Sequence, residues 1–88
     1  MLNTEEKILI RCITQRIKEL RKRSGMSQRL MYYDTEINMG RLETGKENIK
    51  ITTIAKLCAY FDITLEEFFR DIQIEASEIH PPDPPPEN

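Results

Sequence analysis

The side chains in this 88-residue chain that can do covalent, acid–base or metal chemistry are two cysteines, one histidine and the carboxylates. Their spacing argues against each use. Cys12 and Cys58 lie far apart inside apolar-periodic stretches, with no Cys or His nearby at the separation a metal needs, and read as small core hydrophobes. His80 precedes a proline run and has no fixed partner for general-base or nucleophile work. Adjacent carboxylates such as Glu66 and Glu67 fit a solvated helix face. The expectation is therefore no enzyme, no catalytic residue, no metal and no cofactor. What remains is charge, above all the cluster Lys18, Arg21, Lys22 and Arg23, which can face an anionic partner.

That charge is unevenly placed. The chain carries a net −2, but residues 1–70 hold all 13 Lys and Arg against 10 Asp and Glu, whereas residues 71–88 hold Asp71, Glu75, Glu78, Asp83 and Glu87 and no base. The body is basic and the end is acidic. With 39% apolar and 32% charged residues the composition is that of one small globular domain. The longest aliphatic run, Ile8 to Ile10, is far below the roughly 20 residues of a membrane helix. The start MLNTEEK lacks a basic stretch followed by an apolar one, so the expected compartment is the cytoplasm, with no membrane partner.

The elements that must carry the basic residues follow from periodicity and caps. Asn3 with Glu6 forms a capping-box pattern, Ile10, Ile13, Ile17 and Leu20 share one helical face, and Gly25 stops a first helix that began near residue 3. Ser27 is an N-cap with Gln28 in the first turn of a short second helix through Leu30, Met31, Tyr32 and Tyr33. Asn38 caps a brief third helix ended by Gly45. Ile51, Ile54, Leu57, Cys58 and Phe61 form the apolar stripe of a fourth helix. Thr64 with Glu67 opens a fifth, expected to bury Leu65, Phe68 and Phe69. The fold expected is an all-α five-helix bundle over residues 1–70, with an amphipathic extension over 71–80, helix or short strand, and a disordered, proline-rich acidic tail over 81–88. Pro81 with Pro84 matches a PxxP pattern, but in so short an acidic tail a solvated end is the simpler reading.

Three segments in order, ITQRIKELRKRSGMSQ, RLETGKENI and ITTIAKLCAYFDITLEEFF, resemble the Cro and phage-repressor helix-turn-helix domains, the xenobiotic-response-element family. In that family helix one resembles I-x-x-R-I-K-E-L-R, a Ser/Thr-Gln pair opens helix two and I-E-x-G-K closes helix three. The likeness spans about 57 of the 88 residues. It implies a DNA-binding domain of the phage-repressor type, whose third helix enters the major groove of double-stranded DNA. By the same resemblance Gln28, with Arg29 beside it, contacts phosphate or base edges, and Asn38 and Arg41 fall on the recognition segment; on a shortened third helix Asn38, Gly40 and Arg41 are the groove-facing positions, while Met39 and Leu42, at i, i+3, turn inward. Lys46 and Lys50 follow as phosphate holders. The chain departs from the pattern in three places. The interval from Ser-Gln to the I-E-x-G segment is three or four residues short, as in a compact subgroup of the family. Tyr32 stands where helix two has a small Ala, and Glu36 where the turn has Gly.

Each assignment has a structural counterpart. Arg41 can instead pair with Glu43 or Glu47, the Lys18–Arg23 cluster can be a solvated face, and one of Tyr32 and Tyr33 is expected in the core rather than stacked on bases. Glu43 is expected to order the loop through Gly45 by accepting backbone hydrogen bonds. Met26, Met31 and Met39 fill core gaps. The first helix begins about ten residues before the family's usual start, and Ile8, Leu9 and Cys12 on that overhang, with Ile72 and Ile74, are the expected contact residues of a homodimer; alternatively the 71–80 segment covers them within one chain. Two function classes follow. One is a sequence-specific, repressor-like DNA-binding regulator. The other is a protein-interaction module, antitoxin-like or mobile-element accessory, using the same fold, favoured by the long first helix and acidic tail; a short third helix and a pI near 5.4, where DNA binders usually exceed about 9, oppose the first.

Overall fold

The computed structural model describes residues 3–70 and residue 72. Five helices follow one another: α1 (Thr4–Arg23), α2 (Gln28–Thr35), α3 (Met39–Leu42), α4 (Ile51–Phe61) and α5 (Leu65–Arg70). The all-α fold expected from periodicity is the fold observed, and among the described residues there is no strand. The anticipated helix or strand over 71–80, apart from residue 72, and the tail over 81–88 lie outside the described residues.

Local signals start and stop each helix. The Asn3 side chain accepts the Glu6 backbone N–H at 2.8 Å while Glu6 reaches back to the Asn3 N–H at 3.4 Å. Glu5 and Glu6 in the first turn and Arg21, Lys22 and Arg23 in the last suit the helix dipole. At the other end Gly25, at φ +72°, lets the chain turn back, so that Gly25 N–H bonds Lys22 O and Met26 N–H bonds Arg21 O. The same pair of bonds closes α4 on Ala59 and Cys58, with Asp62 at φ +56° in place of a glycine. Thr64 and Glu67 cap α5 reciprocally, at 3.0 and 3.1 Å.

The core is one cluster built from Ile17, Leu20, Met31, Met39, Ile54, Leu57, Cys58 and Phe68, with α2 packed on α3, α4 on α5 and α1 on α4. Phe68 is fully buried, and such a side chain contributes about 2–3 kcal/mol by leaving water. Two helix-start residues depart from the expected stripes. Ile51 is 58% exposed and Leu65 41% exposed, each being the first residue of its helix, while Ile54 and Phe68 three positions on are buried. Cys58 is buried as expected, and burial raises its thiol pKa. No helix of the described residues is long and apolar enough to cross a membrane.

A buried cation fastens the bundle. Arg16, 7% exposed, donates from Nε to Phe68 O at 3.1 Å and from Nη2 to Glu67 O at 3.1 Å. Its guanidinium carbon stands 5.9 Å from the centre of the Phe68 ring. The guanidinium thus satisfies carbonyls at the end of α5 that the helix itself leaves open, and ties α5 to the middle of α1.

Candidate nucleic-acid interface

The segment from Ser27 to Lys50 is positioned by α1. Ser27 Oγ accepts the Leu30 N–H at 3.1 Å and fixes the start of α2. Thr35 Oγ1 donates to Met31 O at 2.6 Å and accepts from the Ile37 N–H at 3.1 Å, turning the chain out of the helix. Glu36, at φ +62°, holds the left-handed position there. Residues 36–38 separate α2 from α3, which has only four residues.

Asn38 caps α3, its Oδ1 accepting the Arg41 N–H at 3.0 Å. That leaves its amide donors for another partner. Met39 is fully buried and Leu42 half-buried, so the inward pair is as the spacing predicts. Gly40 lies under Gln28. A Cβ at that position would stand 3.3 Å from Gln28 Oε1 and 3.5 Å from Asn38 Oδ1, so any side chain there would press on the two polar groups beside it. Gln28, Arg29, Asn38 and Gly40 thereby line one shallow cleft together with Tyr32. Asn38 also borders a second, shared with Arg41 and Lys50. Six of the seven expected DNA-contact residues therefore fall on two adjoining clefts. Lys46 does not: it lines a third, against α1.

Arg41 Nη2 meets Glu47 Oε1 at 2.7 Å, with both side chains well exposed. The hydrogen bond to Glu47, and then its charge, raise the Arg41 pKa. Of the two partners considered for Arg41, Glu47 is the one it finds. Both side chains are solvated, so a stronger acceptor can take the guanidinium from Glu47.

Three assignments near this surface are corrected. Glu43 does not take backbone N–H groups. It accepts Arg21 Nε at 2.6 Å, Arg21 Nη2 at 2.9 Å and Gln28 Nε2 at 3.2 Å, because the loop brings it against α1 with its side chain only 4% exposed. Arg21 accordingly leaves the solvated cluster it was read into, and its Nη1 also bonds Met26 O at 3.0 Å. Neither Tyr32 nor Tyr33 is in the core, at 53% and 69% exposed, since Met31 fills the inward position of so short a helix. Arg29 lies over the Tyr33 ring at 6.0 Å. Neither the burial of Arg16 nor the Arg21–Glu43 pair has a signal along the chain, because their partners come together only after the chain has turned twice.

On the overhang of α1, Ile8 is 43% exposed, Leu9 and Cys12 are half-buried, and Ile10 is buried. Ile72 packs on the core, its N–H bonded to Phe69 O at 3.0 Å. Ile74 lies outside the described residues. A family model described as Cro/C1-type HTH DNA-binding domain matches residues 14–73. No curated protein and no solved structure matches the chain.

Proposed function

Because this chain belongs to the Cro/C1-type HTH DNA-binding domain family, we propose that it is a sequence-specific transcriptional regulator, a small repressor-like protein acting on double-stranded DNA in the cytoplasm. The observation that carries this is the surface on which Gln28, Arg29, Asn38, Gly40, Arg41 and Lys50 come together. In this reading Arg41 and the free amide of Asn38 address base edges, Arg being shaped for guanine O6 and N7. Gln28, Arg29 and Lys50, with Lys46 in the next cleft, hold phosphates and fix the register. Gly40 contributes by having no side chain between them. The domain proper is residues 1–70.

Assembly belongs to the same proposal. Ile8 with Leu9 and Cys12 forms the contact of a two-fold homodimer, which presents two α3 helices to one DNA face about 34 Å apart, whereas Ile72 is already packed on the core of its own chain. Capture of genomic DNA fragments followed by sequencing is the test: one enriched, two-fold symmetric motif is expected. Uniform recovery of sequences overturns sequence reading.

One observation favours a second reading. A recognition helix of four residues offers few groove-facing positions, which suits an antitoxin-like or mobile-element accessory module that binds a protein partner and reads DNA weakly. Absence of any DNA binding at low salt supports it.

A further inference from the structure

Lys7, Arg11, Thr14 and Lys18 lie on one narrow face of α1, within about 60° of arc at 100° per residue. Opposite them the loop after α3 closes in, near enough that a Cβ on Gly45 would stand 3.3 Å from Thr14 Oγ1. Between the two runs a cleft of about 420 Å³, which Lys46 also lines. Lys7, Arg11, Lys18 and Lys46 make no ion pair among the described residues. Glu43 is the one carboxylate lining the cleft, and Arg21 and Gln28 occupy its oxygens. Four cations therefore converge on a concave surface without a counter-charge, at a Coulomb cost that an anion removes.

We propose that this cleft is a second phosphate track, in which Lys7, Arg11 and Lys18 of α1 hold the DNA backbone beyond the bases addressed by α3. The inference rests on the DNA-binding reading above and extends its footprint. Continuity favours DNA as the occupant: the loop carrying Lys46 follows directly from α3, and Glu43 links the cleft to Gln28 at the head of α2. Length does too. Lys7 to Lys18 spans about 16 Å at 1.5 Å per residue, close to five base-pair steps of 3.4 Å.

Binding to a 30-base-pair mixed-sequence duplex, followed by fluorescence anisotropy across a salt series, tests the proposal. Each phosphate contact contributes about 0.9 to the slope of log K against log salt, so K7Q/R11Q/K18Q should lower the slope by about 2.7 relative to wild type. K22Q/R23Q/K56Q removes the same charge from positions outside the cleft and should leave the slope unchanged. Circular dichroism melting checks that each variant folds; should the triple variant not fold, the exposed pair K7Q/R11Q should still lower the slope by about 1.8. An unchanged slope in the cleft variants, or an equal fall in the control, overturns the track while leaving the α3 surface standing. A wild-type protein that binds no duplex at 50 mM salt overturns both.

Discussion

Arg21 and Glu43 meet through two parallel hydrogen bonds, Nε to Oε2 at 2.6 Å and Nη2 to Oε1 at 2.9 Å, with 11% and 4% of their side chains exposed. The pair locks the last turn of α1 to the end of α3, and the third bond, from Gln28, brings in the head of α2. Removing one member of so enclosed a pair leaves a charge without its partner. Glu43→Ala should cost about 3 kcal/mol in urea unfolding, and Arg21→Met/Glu43→Leu should recover most of it. A double variant no better than Glu43→Ala alone argues that local packing, not the stranded charge, sets the cost.

Glu36 occupies a left-handed backbone position that suits glycine. Its N–H nevertheless bonds Tyr32 O at 2.7 Å, so the turn forms despite the side chain. Left-handed φ costs a non-glycine residue about 1–2 kcal/mol, part of which a glycine returns as unfolded-chain entropy. Glu36→Gly should raise stability by about 0.5–1 kcal/mol. A loss of stability on thermal melting rejects the strain argument.

Arg41 and Lys46 should separate in their effect on DNA. Arg41→Ala should relax sequence preference at a cost of about 1–3 kcal/mol on the preferred site, whereas Lys46→Ala should weaken all sequences alike. Since Glu47 places a carboxylate 2.7 Å from Arg41 on an exposed surface, Glu47→Gln should tighten binding by removing a negative charge that repels DNA phosphate. Equal losses from Arg41→Ala on preferred and random duplexes contradict the assignment.

Ile8, 43% exposed on the α1 overhang, is the most accessible of the described residues proposed for the dimer contact. Sedimentation of the wild type should show a dimer that Ile8→Glu converts to monomer. A wild type that stays monomeric at high micromolar concentration ends the assembly proposal.

Glu67 titrates below the ordinary carboxylate range, chiefly because the Thr64 backbone N–H bonds its ionised form. A depressed folded pKa contributes stability above the unfolded value, near 4.3, and loses it as pH falls through the folded value. Melting temperature should therefore fall below about pH 4.3, and Glu67→Gln should flatten that limb. An unchanged acid limb in the variant assigns the loss to other carboxylates.

The five helices were legible in the residue order because their causes are local. Asn3 with Glu6, Thr64 with Glu67, Ser27 and Asn38 cap within three residues, and Ile10, Ile17 and Leu20 share a face set by the helical repeat alone. The family, too, could be read there, since its motifs are short and come in order. Partner choice was not. Arg16 binds carbonyls about fifty positions away, and Arg21 and Glu43 lie 22 apart, so which cation is buried, which is paired and which is free depends on how α1 crosses the rest of the bundle. Charge acts through space over several ångströms and carries no periodicity along the chain. For the same reason Lys46, adjacent in sequence to the recognition segment, faces Lys7, Arg11 and Lys18 of α1 instead: only the folded loop decides which anion-binding surface a lysine joins.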